Sequence, residues 1–458
     1  SLSRNLHHPV KVITIAGHAR SFFSAIVIAA GLLPAAAGAQ SAAPSEGGRP
    51  AGNEPQSFTQ GTRPLAQVVA EALRSNPEIQ GASKEKEAAQ QRVAPAGALE
   101  DPMMEAGFLN LPANSLRFDR EDMTMKMIGL SQRLPYPGKL GLRQDLATKD
   151  AESVGYGYQE TVNRVVRDVK IAYFDLGLTL ETTKLVANNK LILEQFLRIA
   201  EGRYAAGQGT QADVLKAQTQ LSRMTDELLK LARERPVIEA ELNRALGRGD
   251  IVAAPLPEPP QLRETSLNLE SLRETALTQR PQLLALQSIV SRSEKALDLA
   301  RKDYYPDIDV RFSYGQRDNM PDGTRRSDLV SLTVAINLPV WRDNKREPRV
   351  AEALALRDQA MNIYQAQRNE VAAKLRQQAA LAEQNLKSAR LYQTAILPQA
   401  RLAVESALAA YQVNRADLLM LLDSQMTVFS YETSLLTATT NYNKALAEID
   451  LLAGAPQQ

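Results

Sequence analysis

Beyond residue 18, the side chains able to bind a metal are carboxylates and thioethers. Met103, Met104, Met123, Met125 and Met127 make up five of the ten methionines. The last three alternate, so they would share one face of a strand. Thioether sulfur suits Cu(I), and the competing expectation is that methionines on such a strand are apolar filler facing lipid. All three histidines, His7, His8 and His18, fall at the start of the chain, and there is no cysteine. Ser-His-Asp and Cys-His catalysis is thereby excluded from the rest, as is any zinc site built on nitrogen or sulfur ligands. No catalytic residue, cofactor or resident metal is expected, and the chain does not read as an enzyme.

The elements that would position these side chains occur twice. Pro77 answers Pro281, Pro102 answers Pro306, Leu134-Pro135 answers Leu338-Pro339, and Ala212-Asp213-Val214-Leu215 answers Ala416-Asp417-Leu418-Leu419, all at one offset of 204 residues. That period is far too long for a solenoid repeat and implies duplication of one large unit. Residues 1–39 read as a secretory leader, with Lys11 and Arg20 ahead of or within an apolar stretch and Ala37-Gly38-Ala39 as a small-residue cleavage site. The leader also carries Arg4 and no acid, so losing its three cations takes the formal net charge from +2 to −1. That balance gives no sign of nucleic-acid binding. Residues 40–62 have the composition of a disordered tail. The first repeat is placed at 63–247, a proline-rich linker at 248–265, and the second repeat at 266–458. Arg248-Gly249-Asp250 falls in the linker and is read as coincidence.

Each repeat has the same internal order. A short helix (64–75, and 267–279) precedes a second one (78–94, and 282–303), then a two-stranded hairpin, then very long helical sequence. No proline interrupts the chain between Pro137 and Pro236. As one helix, Gly138 to Ala206 would run about 100 Å. Val162, Val166, Val169, Tyr173, Leu176 and Leu180 recur at alternating steps of four and three, the heptad pattern of coiled helices.

The hairpins carry the opposite, period-2 pattern. Ile308, Val310, Phe312 and Tyr314 alternate with Asp307, Asp309, Arg311 and Ser313, and Val330, Leu332, Val334 and Ile336 alternate with mostly polar residues. That is the signature of a membrane β-barrel with a wet lumen, although a half-buried soluble sheet would look the same. An isolated hairpin is not stable alone, and four strands cannot close a barrel, so several chains must contribute. Trp341 and Tyr136 follow strand-ending Leu-Pro pairs and fit an interfacial aromatic belt.

The residues LAQVVAEALRSNPEI, RYAAGQGTQADVLKAQTQL (203–221), LNRALG (242–247), ILPQARLAVESALAAYQ (396–412) and ADLLMLLDSQMTVFSYE (416–432) resemble the TolC-like outer-membrane efflux factors. The run FDREDMTMKMIGLSQRLPYPGKLGLR (118–143) is most similar to members serving heavy-metal pumps of the RND type. The resemblance spans about residues 64–454. It implies a mainly α fold with a small β part: long coiled helices forming a periplasmic α-barrel, and two hairpins per chain joining a homotrimeric barrel of three times four strands in the outer membrane. It implies a passive exit duct that meets a periplasmic adaptor and an inner-membrane pump. A type I protein-secretion channel has the same architecture. A periplasmic coiled-coil adaptor is a more distant alternative, because no lipoyl-like domain is visible.

Two helix-to-helix turns then become candidate sites. At the first, Gly207 and Gly209 can end one helix, and Thr210 or Asp213 can cap the next. The second lies near 412–416. Tyr411 and Asp423 match a tyrosine and an aspartate of the family's gate, Arg415 stands one position from its arginine, and Met420 replaces a second aspartate, with Asp417 as the local alternative. The gate set is therefore Asp213, Tyr411, Arg415, Asp417 and Asp423, although Asp213 can equally be a helix cap alone. Gly207, Gly209, Thr210, Val214, Leu215, Asn414 and Leu418 are expected to contact the adaptor. Val330, Leu332, Val334 and Ile336 are expected to face outer-membrane lipid.

Overall fold

The computed structural model describes residues 61–249 and 252–454. The expected leader, 1–39, and all but the last two residues of the expected tail, 40–62, lie outside the described residues. Two short helices open the first repeat, α1 (Leu65–Ser75) and α2 (Pro77–Gln91), followed by one turn, α3 (Val93–Ala96). Strands β1 (Met103–Leu109) and β2 (Met125–Leu134) lead into α4 (Lys139–Ala205), which returns through α5 (Gln211–Leu246). The second repeat runs α6 (Leu269–Gln279), α7 (Pro281–Lys302), β3 (Ile308–Gln316), β4 (Leu329–Ile336), α8 (Glu347–Leu391), α9 (Leu397–Gln412) and α10 (Leu418–Ala453). The 67 residues of α4 form one helix, as the proline-free stretch requires. Its counterpart passes from α8 to α9 through a single π turn at Tyr392–Ile396. Pro398 explains that turn: its ring would strike the carbonyl four residues back, and the wider turn makes room for it.

The heptad residues pack as their spacing predicts. Val166, Val169, Tyr173 and Leu176 are buried against Val68, Val69, Ala72, Leu242 and Leu246, with Val162 and Leu180 at the margin. The two repeats use the same lock at this level. Helix α5 ends at Gly247 and α10 at Gly454, both left-handed (φ +74° and +68°). A Cβ on Gly247 would lie 2.4 Å from Pro77 Cδ, and one on Gly454 would lie 2.6 Å from Arg280 Cα. Each long hairpin is thus clamped against the residues that start α2 or α7. Gly247→Ala should cost at least about 1–2 kcal/mol from the left-handed conformation alone, a loss readable in the unfolding midpoint. The linker is strapped down by side chains: Asn243 Nδ2 donates to Val252 O, Glu258 N to the Tyr173 hydroxyl, Asn443 Nδ2 to Gln261 O, and Thr265 N to the Tyr442 hydroxyl.

All four strands join one antiparallel sheet in the order β1-β2-β3-β4. The hairpins pair with each other through β2 and β3 (Leu130↔Phe312), which leaves β1 and β4 as the sheet's two edges. Among the described residues no helix is long and apolar enough to cross a membrane. Beyond the strands, Arg326 is buried and donates to the carbonyls of Phe118, Glu121 and Asp318, tying the two hairpin loops together.

Candidate functional site

Both helix turns lie beside one buried cluster, in which Ala200, Ala217, Ala407, Tyr411, Leu418 and Leu421 pack together. Gly207 takes the left-handed conformation that ends α4 (φ +72°). Gly209 does not; it lies close against the backbone of Tyr204 instead. Thr210 and Asp213 share the cap of α5. Asp213 N donates to Thr210 Oγ1 (3.2 Å), while Thr210 N and Oγ1 donate to Asp213 Oδ2 (3.1 and 2.8 Å). At the second turn Asn414 is the left-handed residue (φ +57°), and Asp417 is itself the N-cap, accepting from Met420 N at 2.9 Å. Two aspartates equivalent in sequence thus cap their helices from different positions, and both spend oxygens on backbone or hydroxyl donors.

A polar tie across the two tips is made by Arg203. Its guanidinium lies 4.3 Å from the Tyr411 ring centroid, and it donates to Tyr411 O and, at 3.4 Å, to Gln208 O. Tyr411 is buried. Burial pushes its phenol up; Arg203 opposes that and Asp213 reinforces it. Arg415 is exposed and makes no ion pair among the described residues. Within one chain the tyrosine's cation is therefore Arg203, not Arg415. The repeat gave no hint of this, since the positions 204 residues from Arg203 and Tyr411 are Ala407 and Gly207.

Asp423 is exposed, and it lines with Asp417, Met420, Ser424 and Thr427 a shallow groove of about 410 Å³. Among the residues expected to meet an adaptor, Gly207, Thr210, Leu215 and Asn414 are exposed, Gly209 and Val214 half-buried. Leu418 is fully buried and holds the turn from within, because the first residue after the cap points into the hairpin pair. Tyr204, Val413, Leu419 and Met420 supply exposed apolar surface at the tips instead. Finding them requires knowing which way each helix end is turned, which a four-residue motif does not encode.

On the sheet, Val330, Leu332, Val334 and Ile336 are 52–71% exposed on one face. Their partners on that face are Tyr314, Phe312, Val310 and Ile308, and Leu130 and Met104 extend the Leu332–Phe312 row across the sheet. The opposite face carries Arg311 paired with Glu105 at 3.3 Å. Met125 and Met127 lie on that polar face, opposite Leu109 and Gly107, so the expectation that they are filler on the apolar face does not hold. Met123 precedes the strand, so the alternating trio does not share one strand.

The strands join the helices through a buried cation. Lys139 Nζ lies 2.9 Å from Asp307 and 3.3 Å from Asp303 and donates to Tyr305 O. Tyr136 N also donates to Asp307 (2.9 Å). Burial by itself would raise the Asp307 carboxyl, but the Tyr136 N–H and Lys139 outweigh it and hold it below the ordinary range.

The model of the outer membrane efflux protein family matches residues 68–248 and again 272–455. The chain belongs to that family. A similar relative is the cobalt-zinc-cadmium resistance protein CzcC of Cupriavidus metallidurans, 22% identical over 374 residues that cover 78% of this chain and 86% of the relative. Among solved structures, the outer membrane protein VceC of Vibrio cholerae aligns with a TM-score of 0.73 at 18% identity, over 85% of this chain and 96% of VceC. The MtrE outer membrane channel of Neisseria gonorrhoeae aligns with a TM-score of 0.69 at 16% identity, over 85% of this chain and 88% of MtrE. These efflux-protein likenesses agree with the mainly helical, two-lobed fold carrying one small antiparallel sheet. The family is one of outer-membrane channels rather than enzymes.

Proposed function

We propose that this efflux protein is the outer-membrane exit duct of a tripartite system, trimeric, and supplied by a periplasmic adaptor and an RND-type inner-membrane pump. The observation that carries the reading is the sheet. It has four strands, two unpaired edges and an exposed apolar face. Unpaired strand edges cannot stand in hydrocarbon. Three copies, pairing β1 of one with β4 of the next, give three times four strands and no edge, within the range of bacterial barrels. Chemical cross-linking or mass measurement in detergent should give three chains; a stable monomer ends the barrel model.

The cargo is proposed to be divalent metal cations, on the strength of the CzcC likeness and the Asp417–Asp423 groove. Cells lacking this chain should accumulate cobalt, zinc or cadmium, and the wild-type chain should reverse that. Unchanged accumulation removes the metal assignment.

The helix tips are proposed to be the closed end of the duct. Arg203 and Tyr411 hold the two hairpins of one chain together, and a cation on a ring is worth about 0.5–2 kcal/mol. Three such ties resist opening modestly, and a docking partner can overcome them. Arg203→Ala with Tyr411→Phe should therefore raise single-channel conductance in planar bilayers. Asp423→Ala should leave conductance low while weakening block by multivalent cations from the helical side. Wild-type conductance in the double variant would move the constriction elsewhere.

A further inference from the structure

At its helical end the sheet finishes in a cluster of rings and cations. Tyr136 follows β2, Tyr304 and Tyr305 precede β3, and Trp341 follows β4. Tyr136 and Tyr305 stack at 4.5 Å, and Lys302 Nζ lies 5.5 and 5.7 Å from their centroids. The Arg342 guanidinium lies 5.3 Å from the centroid of Tyr304. Among the described residues Lys302 makes no ion pair, and the pair of Arg342, with exposed Glu347, is long at 3.9 Å. A ring face attracts a cation without neutralising it, so both cations keep charge for another partner. Arg346 and Arg349, by contrast, turn back onto Asp303. Beside Arg342, Leu338, Val340 and Trp341 are 68–73% exposed. Interfacial rings at the edge of an apolar band, with free cations one layer further out, are complementary to a lipid whose tails and phosphate are stacked in the same order.

We propose that this end of the sheet binds an anionic phospholipid of the leaflet nearest the helices. Its phosphate is held by Lys302 and Arg342, and its acyl chains lie along Leu338, Val340 and Trp341. The proposal rests on the reading of the sheet as part of a membrane barrel.

The test uses the full chain reconstituted in phosphatidylcholine vesicles with or without phosphatidylglycerol. Lipid retained after extraction is counted by native mass spectrometry, and protease protection of the strands is scored on the same samples. Phosphatidylglycerol should be retained in preference to phosphatidylcholine. Lys302→Gln and Arg342→Gln should each weaken that retention about fivefold, the effect of one cation near a membrane surface, while Lys302→Arg preserves it. Lys345→Gln removes a nearby exposed charge without disturbing any ring, and should show a smaller loss in a fully folded protein. Equal retention of the two lipids, or retention unchanged in both glutamine variants, overturns the proposal. Displacement of the lipid by inorganic phosphate alone also overturns it, since the acyl contacts would then contribute nothing. Protected strands without lipid preference defeat this inference and leave the duct standing; unprotected strands defeat both.

Discussion

Lys139→Met should lower the stability of the folded chain by about 3 kcal/mol, the low end of the range for breaking a buried ion pair. The Lys139 side chain is 4% exposed and the Asp307 side chain 12%, so neither can turn to water when the other is removed. The low end applies because Asp303 is 35% exposed and Arg133 remains 3.7 Å from Asp307. A double replacement, Lys139→Met with Asp307→Leu, should recover much of the loss, since an apolar pair of similar volume often replaces a buried ion pair at little cost. Denaturant midpoints of the three proteins check this; equal destabilisation by single and double variants would mean the pair is not the cause. The same site makes stability pH-dependent. The Asp307 carboxyl titrates below its unfolded value, so its contribution is full above the ordinary carboxylate pKa and is lost as pH falls through the folded one. Asp307→Asn should flatten that acid limb of the stability curve.

How much of this was legible depended on the range of the interaction. The heptad from Val162 to Leu180 marked a buried seam, because helical periodicity is a local property, and that seam lies in one of the buried cores of the structure. Strand alternation placed Val330, Leu332, Val334 and Ile336 on one face for the same reason. Pairing between strands was not legible: nothing local says that β2 meets β3, and without that register Met125 and Met127 could not be assigned a face. Contacts between helix tips were hidden too. The Arg203–Tyr411 tie joins positions 208 residues apart, and the first repeat has glycine where the second has that tyrosine. The buried amide of Asn189 is a further case. It accepts from Gln425 at 2.8 Å and donates to Met224 sulfur at 3.3 Å, joining α4, α5 and α10 in the interior of a helix pattern that reads as unbroken. Asp213 was open to two readings, cap or gate, and its capping box is formed entirely by its own turn; a gate role would have to come from the oxygen it leaves free.

Leu332→Arg should cost about 2–4 kcal/mol of folding into lipid, the value for a cation at the midplane on the outer face of a barrel. Leu332 is the β4 member of a continuous apolar row, Met104, Leu130, Phe312 and Leu332, and lies mid-way along its own strand. Val334→Arg and Ile336→Arg, progressively nearer the helical end, should cost less, because the penalty falls toward the interface. The control must lie on the other face. Thr333 does, but its direct partner is Arg311, and a second arginine there would repel the first. Ala335 is opposite Asp309 on the same polar face, so Ala335→Arg gains an opposite charge across the strands and should be tolerated. Folding of the four variants into lipid vesicles against denaturant gives the comparison. A graded loss along 332, 334 and 336 with no loss at 335 fits a barrel wall whose outer face meets lipid. Equal costs on both faces would mean the sheet is buried or solvated symmetrically, and the open edges of β1 and β4 would then need a partner other than a neighbouring copy in a membrane.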